Sequence, residues 1–147
     1  MDEMEKRVWS ARALVDGDGK GRALVLGEPL SLWGGLDPQT GNVIDERHPS
    51  LGENVMGKVL LLPIGRGSSS ASSILLESVR AGTAPAAIIT AEADGILALG
   101  AIVARTLYDA GPPVVVLAAQ DYAEVVSLAL TNLALSLRVS DNLVEVV

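Results

Sequence analysis

Three runs of unbroken apolar residues lie in the middle of the chain, at 59–62, 86–89 and 114–117. Each is followed by a stretch with the three-to-four spacing of a helix. The first helix carries Ile74, Leu75, Val79 and their neighbours and stops at Gly82. The second is expected from an Asp94 cap to about 109, with Ile96, Leu97, Gly100, Val103 and Leu107 on one stripe. The third is expected to open on Asp121 and Glu124 as a capping box and to run to about 133. Strands apolar on both faces and separated by helices predict parallel pairing in a buried sheet. The ends of the chain read differently. Residues 8–15 predict a strand, 16–21 a turn and 23–26 its hairpin partner, while 135–139 and 143–147 predict a second hairpin. Together these give an α/β chain in a mixed β/β/α layered arrangement with about three helices. Residues 27–57 lack periodicity, yet Leu30, Leu32, Trp33 and Leu36 make them too apolar for disorder. They are expected to form an ordered loop packed beside the turn that follows residue 64.

Composition narrows the function. At 147 residues the chain is expected to form one domain, residues 1–147. Phe is absent and aromatic residues make up 3%, so Leu, Val, Ile and Ala must fill the core. The net charge of −7 and the scatter of 11 Lys and Arg argue against nucleic acid, whose binding needs a concentrated cationic face. With no cysteine, disulfides and thiolate-ligated metals within this chain are excluded. The N-terminal Met-Asp-Glu-Met-Glu-Lys-Arg has no apolar leader, and no run approaches the roughly 20 residues that span a bilayer. A cytoplasmic protein is expected, without a membrane partner. The Asp16-Gly17-Asp18-Gly19 repeat resembles a calcium loop only superficially, because no helix flanks it and no closing Glu follows.

The chemistry concentrates at Gly65-Arg66-Gly67-Ser68-Ser69-Ser70, between the first buried strand and its helix. Unpaired amides at a helix N-terminus, with the dipole behind them, favour an anion. Glycine lets backbone come close to a ligand, and Arg66 can fork onto a carboxylate or phosphate. The bland alternative is N-capping, which needs one serine and nothing of the others. A nucleotide P-loop does not fit, since no Gly-Lys-Ser/Thr closes the turn. A serine hydrolase fits poorly, because Gly-x-Ser-x-Gly is absent and the sole histidine, His48, lies in an Arg-His-Pro loop with no identifiable acid. The same loop position disfavours His48 as a phosphocarrier, and such a residue more often sits at the surface or packs a loop than catalyses. A serine can serve as base only where amides and a cation stabilise its oxyanion away from water.

Three segments in order, Glu28-Pro29-Leu30-Ser31-Leu32-Trp33-Gly34-Gly35-Leu36-Asp37-Pro38, the stretch 57–70, and Gly82-Thr83-Ala84-Pro85-Ala86-Ala87-Ile88-Ile89, resemble the small subunit of the aconitase X family. The resemblance covers roughly residues 20 to 117, and the Gly-Ser-Ser turn is also similar to that of the swivel domain in aconitase and isopropylmalate isomerase. It implies a swivelling β/β/α domain with a mixed or barrel-like sheet. It also implies a dehydratase site shared with a large aconitase X subunit, separate or fused, that holds an iron–sulfur cluster through its own cysteines. Ser68 aligns with the family's catalytic serine, the base that takes the substrate α-proton. Arg66, Gly67, Ser69 and Ser70 would hold a small anionic substrate, with Gly34, Gly35 and Asp37 forming another wall. No metal ligand is implied on this chain. Family members resemble either cis-3-hydroxy-L-proline dehydratase or mevalonate 5-phosphate dehydratase. Arg66, Ser69 and Arg47-His48-Pro49 favour the first. A non-catalytic, anion-binding swivel module is the reading from another class.

Overall fold

Two strands separated by Ala11 alone, Val8–Ser10 (β1) and Arg12–Val15 (β2), pair at opposite ends of an eight-stranded sheet. The computed structural model of the chain describes residues 7–64 and 70–147. Beyond β2 these hold Asp18–Val25 (β3), the helical turn Leu32–Gly35 (α1), Val59–Leu62 (β4) and Ser70–Ala81 (α2). Ala87–Thr90 (β5), Gly95–Tyr108 (α3), Val114–Val116 (β6), Ala119–Thr131 (α4), Ser136–Ser140 (β7) and Leu143–Val146 (β8) complete the chain. The strand order is β1-β8-β7-β3-β4-β5-β6-β2. Because β1 pairs antiparallel with β8 and β2 with β6, the one-residue step at Ala11 closes the sheet on itself. Ala11 N–H donates to the Asn142 carbonyl at 2.8 Å within that step. β3 serves both halves, its residues 18–22 antiparallel to β7 and 23–25 parallel to β4. The continuous apolar runs β4, β5 and β6 pair in parallel, as their patterning predicts. The expected terminal hairpin is present as β7 and β8.

The hairpin expected between 8–15 and 23–26 does not form. β3 begins at Asp18, inside the segment read as a turn, and pairs with β7 and β4. Gly19 and Gly21 are strand residues, placed where β3 crosses close to the chain that leads into β5 and β4. A Cβ at Gly19 would overlap the Ala86 carbonyl oxygen, and one at Gly21 that of Gly57. Glycine serves close approach here, not a bend.

One apolar cluster joins the inward residues of both sheet halves, Val59, Leu61, Ile89, Val115, Leu137, Val139 and Val144, to Val125 and Ala129 of α4. A second lies between the parallel strands and the helices, with Leu60, Leu62 and Ile88 against Leu75, Leu97 and the loop residues Leu30, Leu32 and Leu36. This is the expected β/β/α layering. The α3 stripe is rotated from its expected position: Ile96 and Val103 are half-buried and Leu107 is exposed, while Leu97, Ala98, Gly100, Ala101 and Ala104 are buried. Small residues win this face because α2 passes close, and a Cβ on Gly100 would stand 2.8 Å from the Ser72 carbonyl oxygen. The capping box on α4 is also absent. The helix starts at Ala119, and Glu124 instead accepts from Trp9 Nε1 at 2.9 Å and from Arg7 at 3.2 Å, tying α4 to β1.

Asp94 caps α3 as expected, its carboxylate accepting from the amides of Ile96 and Leu97 at 3.0 and 3.1 Å. Asp94→Ala is expected to lower unfolding stability by about 1 kcal/mol, read by urea titration, and Asp94→Asn should recover most of it. Equal stability of wild type and Asp94→Ala would remove the cap from the account.

Candidate active site

The C-terminal ends of β3, β4, β5 and β6 share one edge of the parallel sheet, and α2, α3 and α4 each begin there. Open α/β sheets place ligands at this edge. The three helix starts differ in charge. Asp94 satisfies the first amides of α3, and Asp121 lies in the first turn of α4. α2 has no acidic residue in its first turn, and in the sequence the five residues before it, Gly65 to Ser69, include no carboxylate that could serve as Asp94 does for α3. The sequence motif Gly65-Arg66-Gly67-Ser68-Ser69 joins β4 to this helix. Arg66, Gly67, Ser68 and Ser69 lie outside the described residues. Ser70, the other serine of the motif, is the first residue of α2.

The second wall expected from the sequence, Gly34, Gly35 and Asp37, belongs to the loop that leaves β3 at this edge. Trp33 and Gly34 interrupt helical geometry, with Gly34 at φ +79°, a conformation that favours glycine. Gly34 is exposed. Gly35 is buried, and its carbonyl accepts from Ile44 N–H at 2.8 Å. Asp37 is half-buried and its carboxylate accepts from Gln39 N–H at 2.9 Å, so it shapes a turn. The loop packs on α2, while the turn it was expected to flank lies outside the described residues. Leu32 and Leu36 share a cluster with Ala71 and Leu75, and Thr83 Oγ1 donates to the Pro38 carbonyl at 2.7 Å.

His48 holds this loop together. Its ring is 7% exposed, its Nε2 donates to the Glu28 carbonyl at 3.0 Å, and its Nδ1 accepts from Ser50 N–H at 3.0 Å. Both nitrogens are engaged by backbone, which fixes the neutral tautomer with the proton on Nε2 and leaves neither for proton transfer. The loop-packing reading of His48 is what the structure shows. His48→Ala leaves a buried carbonyl and amide unmatched, so a loss of about 1–3 kcal/mol and faster proteolytic cleavage within 27–57 are expected. Unchanged cleavage would remove the clamp.

Next to this clamp, residues 28–34 and 44–48 enclose a groove of about 550 Å³. Of its charged lining only Arg47 was singled out from the sequence, and the adjacent acidic pair Asp45-Glu46 was the further signal. Among the described residues no three His, Asp or Glu side chains converge as a metal site, and the sequence holds no cysteine. The sequence thus supplies no thiolate to hold an iron–sulfur cluster. Near the start of α4, the Tyr122 hydroxyl has no hydrogen-bond partner among the described residues, and burial pushes its pKa above the usual tyrosine value, which keeps it neutral.

A profile described as the aconitase X swivel domain matches residues 8–141. The chain belongs to this family. It is 48% identical over 103 residues to a cis-3-hydroxy-L-proline dehydratase of Pseudomonas aeruginosa, across 70% of this chain and 18% of that protein. It is 50% identical over 93 residues to the phosphomevalonate dehydratase small subunit of Methanothermobacter thermautotrophicus, across 63% of this chain and 71% of that one. The crystal structure of Thermococcus kodakaraensis aconitase X in its holo-form superposes with a TM-score of 0.77 at 30% identity, covering 96% of this chain and 98% of that one. The chain thus spans about a fifth of the length of the hydroxyproline dehydratases it matches, 18% and 20%. Among the described residues no helix is long and apolar enough to cross a membrane.

Proposed function

We propose that this chain is the swivel-domain portion of an aconitase X-type hydro-lyase and supplies the base that dehydrates cis-3-hydroxy-L-proline. The observation that carries the reading is the strand–helix junction after β4. The family's Gly-Ser-Ser motif falls between a central parallel strand and a helix start that has no carboxylate in its first turn. In this reading Ser68 takes the substrate α-proton, and its oxyanion is stabilised by helix-terminal amides and by Arg66. Arg66, Gly67, Ser69 and Ser70 hold the substrate carboxylate. Gly34, Gly35 and Asp37 keep the facing loop in the shape of a wall. The iron–sulfur cluster belongs to a larger partner, since this chain has no cysteine to hold one. This chain's own part is to bind the anion, move the proton and exclude water.

Mevalonate 5-phosphate is the second reading, supported by the 50% identity to an archaeal phosphomevalonate dehydratase small subunit. The test is anaerobic co-expression with the large subunit, purification with cluster intact, and assay of both substrates. Dehydration of hydroxyproline alone is expected. Dehydration of mevalonate 5-phosphate alone would replace the substrate, and no dehydration of either would leave only a swivel-fold anion-binding module.

Arg66→Ala should raise KM for the substrate about tenfold or more and lower kcat as well if the guanidinium also steadies the transition state. Steady-state kinetics of the assembled enzyme measure both, and unchanged constants would place the anion elsewhere.

A further inference from the structure

We propose that the Trp33 turn and the groove beside it form the face on which this chain docks its larger partner, receiving a partner segment that presents a basic side chain next to an apolar one. The inference rests on the proposed function in requiring such a partner. Trp33 is 60% exposed, while its neighbours in the turn, Leu32 and Leu36, are each 3% exposed and fixed in the helix-side core. Ser31 Oγ donates to the Trp33 carbonyl at 3.2 Å, and Leu36 N–H donates to the Leu32 carbonyl at 3.1 Å. A large indole is therefore held out from a backbone that is already ordered. Rigidly presented tryptophans lose little entropy on binding and dominate interface energetics.

Ile44 extends the apolar surface. It is exposed, and the hydrogen bond its N–H donates to the Gly35 carbonyl holds it against the same turn. The groove that Ile44 and Gly34 line is acidic, with Glu28, Asp45 and Glu46 against the single cation Arg47. Among the described residues Glu28 and Glu46 are exposed and no hydrogen bond or ion pair engages their carboxylates, so both remain available to a cation. An apolar anchor beside unpaired carboxylates is complementary to a protein segment with a Lys or Arg beside an apolar residue. It is a poor receptor for a dianionic small molecule. The His48 clamp makes the groove preformed, which reduces the ordering cost of association.

The position is right for a shared active site. Glu28 and Ser31 follow the C-terminal end of β3, at the edge where β4 ends and α2 begins. The hydroxyproline dehydratases, of which this chain spans 18% and 20%, carry about four-fifths of their polypeptide beyond the matched segment. A partner covering this edge would bury Trp33 and close the site against water together. Leu107, 61% exposed near the opposite end of α3, provides a matched control on the far edge.

The test is the affinity of this chain for the purified cognate large subunit, measured anaerobically by titration calorimetry at two ionic strengths. Trp33→Ala is expected to weaken Kd about tenfold or more. The double reversal E28K/E46K is expected to weaken Kd at low salt, by a factor that shrinks as salt is raised. Leu107→Ser should bind as wild type. Circular dichroism verifies the fold of each variant. Wild-type affinity in both Trp33→Ala and E28K/E46K overturns the proposal, as does weakening by Leu107→Ser alone. Normal assembly of E28K/E46K with a raised substrate KM overturns it too, making the groove a substrate wall. Failure of the wild-type chain to bind the large subunit overturns the proposed function as well, whereas the other outcomes leave that reading intact.

Discussion

Ser68→Ala is expected to lower turnover by roughly 10²–10⁴-fold in the assembled enzyme, with assembly and thermal stability within error of wild type. That range is what a positioned general acid or base contributes. The stability expectation follows from the neighbouring hydroxyls: Ser69 and Ser70 stand next in the motif, and an N-cap is satisfied by one serine oxygen. The two expectations separate catalysis from capping. If Ser68 only caps α2, its loss costs about 1 kcal/mol of stability and leaves kcat near wild type. If Ser68 is the base, kcat collapses and Tm holds. The KM comparison adds a further distinction, since a binding serine would raise KM with kcat preserved. The assay must use the complex with its cluster intact, because a loss measured on a partly assembled sample would report assembly. Near-wild-type kcat for Ser68→Ala in an intact complex would take this residue out of the mechanism.

The parallel strands β4, β5 and β6 were legible in the sequence because each is a local signal, whereas β3, which joins them, was not. The runs 59–62, 86–89 and 114–117 are apolar at every position, and such strands fit only a sheet covered on both faces. Asp94 was legible for the same reason, since a cap is decided within three residues. Closure of the sheet was not legible. The break at Ala11 has no composition of its own, and what splits 8–15 into β1 and β2 is the pairing of each half with a different strand far along the chain, β8 and β6. Glu124 misled by the same route, since its place three residues after Asp121 fits a capping box while Trp9 and Arg7, remote in sequence, claim its carboxylate. The site is legible as chemistry in the Arg66 to Ser70 motif. What assigns those residue types to a dehydratase is the family resemblance, since an anion-binding helix start serves many reactions. His48 shows the limit from the other side. From sequence a lone histidine is open to several roles, and only its two backbone partners fix it as a clamp.

The largest structural effect is expected at Gly19, the residue whose conformational freedom is needed least and whose missing side chain is needed most. A Cβ there would overlap the Ala86 carbonyl oxygen and stand 2.8 Å from its carbon. Both atoms are backbone, in the residue that leads into β5, and Ala86 N–H donates to the Lys58 carbonyl at 2.8 Å. Neither side can yield as a flexible side chain would. To admit a methyl group, β3 must move away from the start of β5, yet β3 is also fixed by Asp18 to Arg22 against β7 and by Ala23 to Val25 against β4. Relief at one point therefore strains the ladders that close the barrel. Overpacking of a core typically costs about 1–3 kcal/mol. Gly19→Ala is expected at or above the upper end of that range, a Tm drop of roughly 10 °C for a chain of this size. Gly19→Val is expected not to reach the native fold. Lys20, the exposed neighbour on the other face of the same strand, supplies the control, and Lys20→Ala should stay within about 0.5 kcal/mol of wild type. Thermal unfolding followed by circular dichroism compares the three. A Tm for Gly19→Ala within 2 °C of wild type, roughly the shift from 1 kcal/mol or less, would mean that the crossing of β3 over the parallel strands is looser than its geometry requires. The barrel would then be held by its ladders alone.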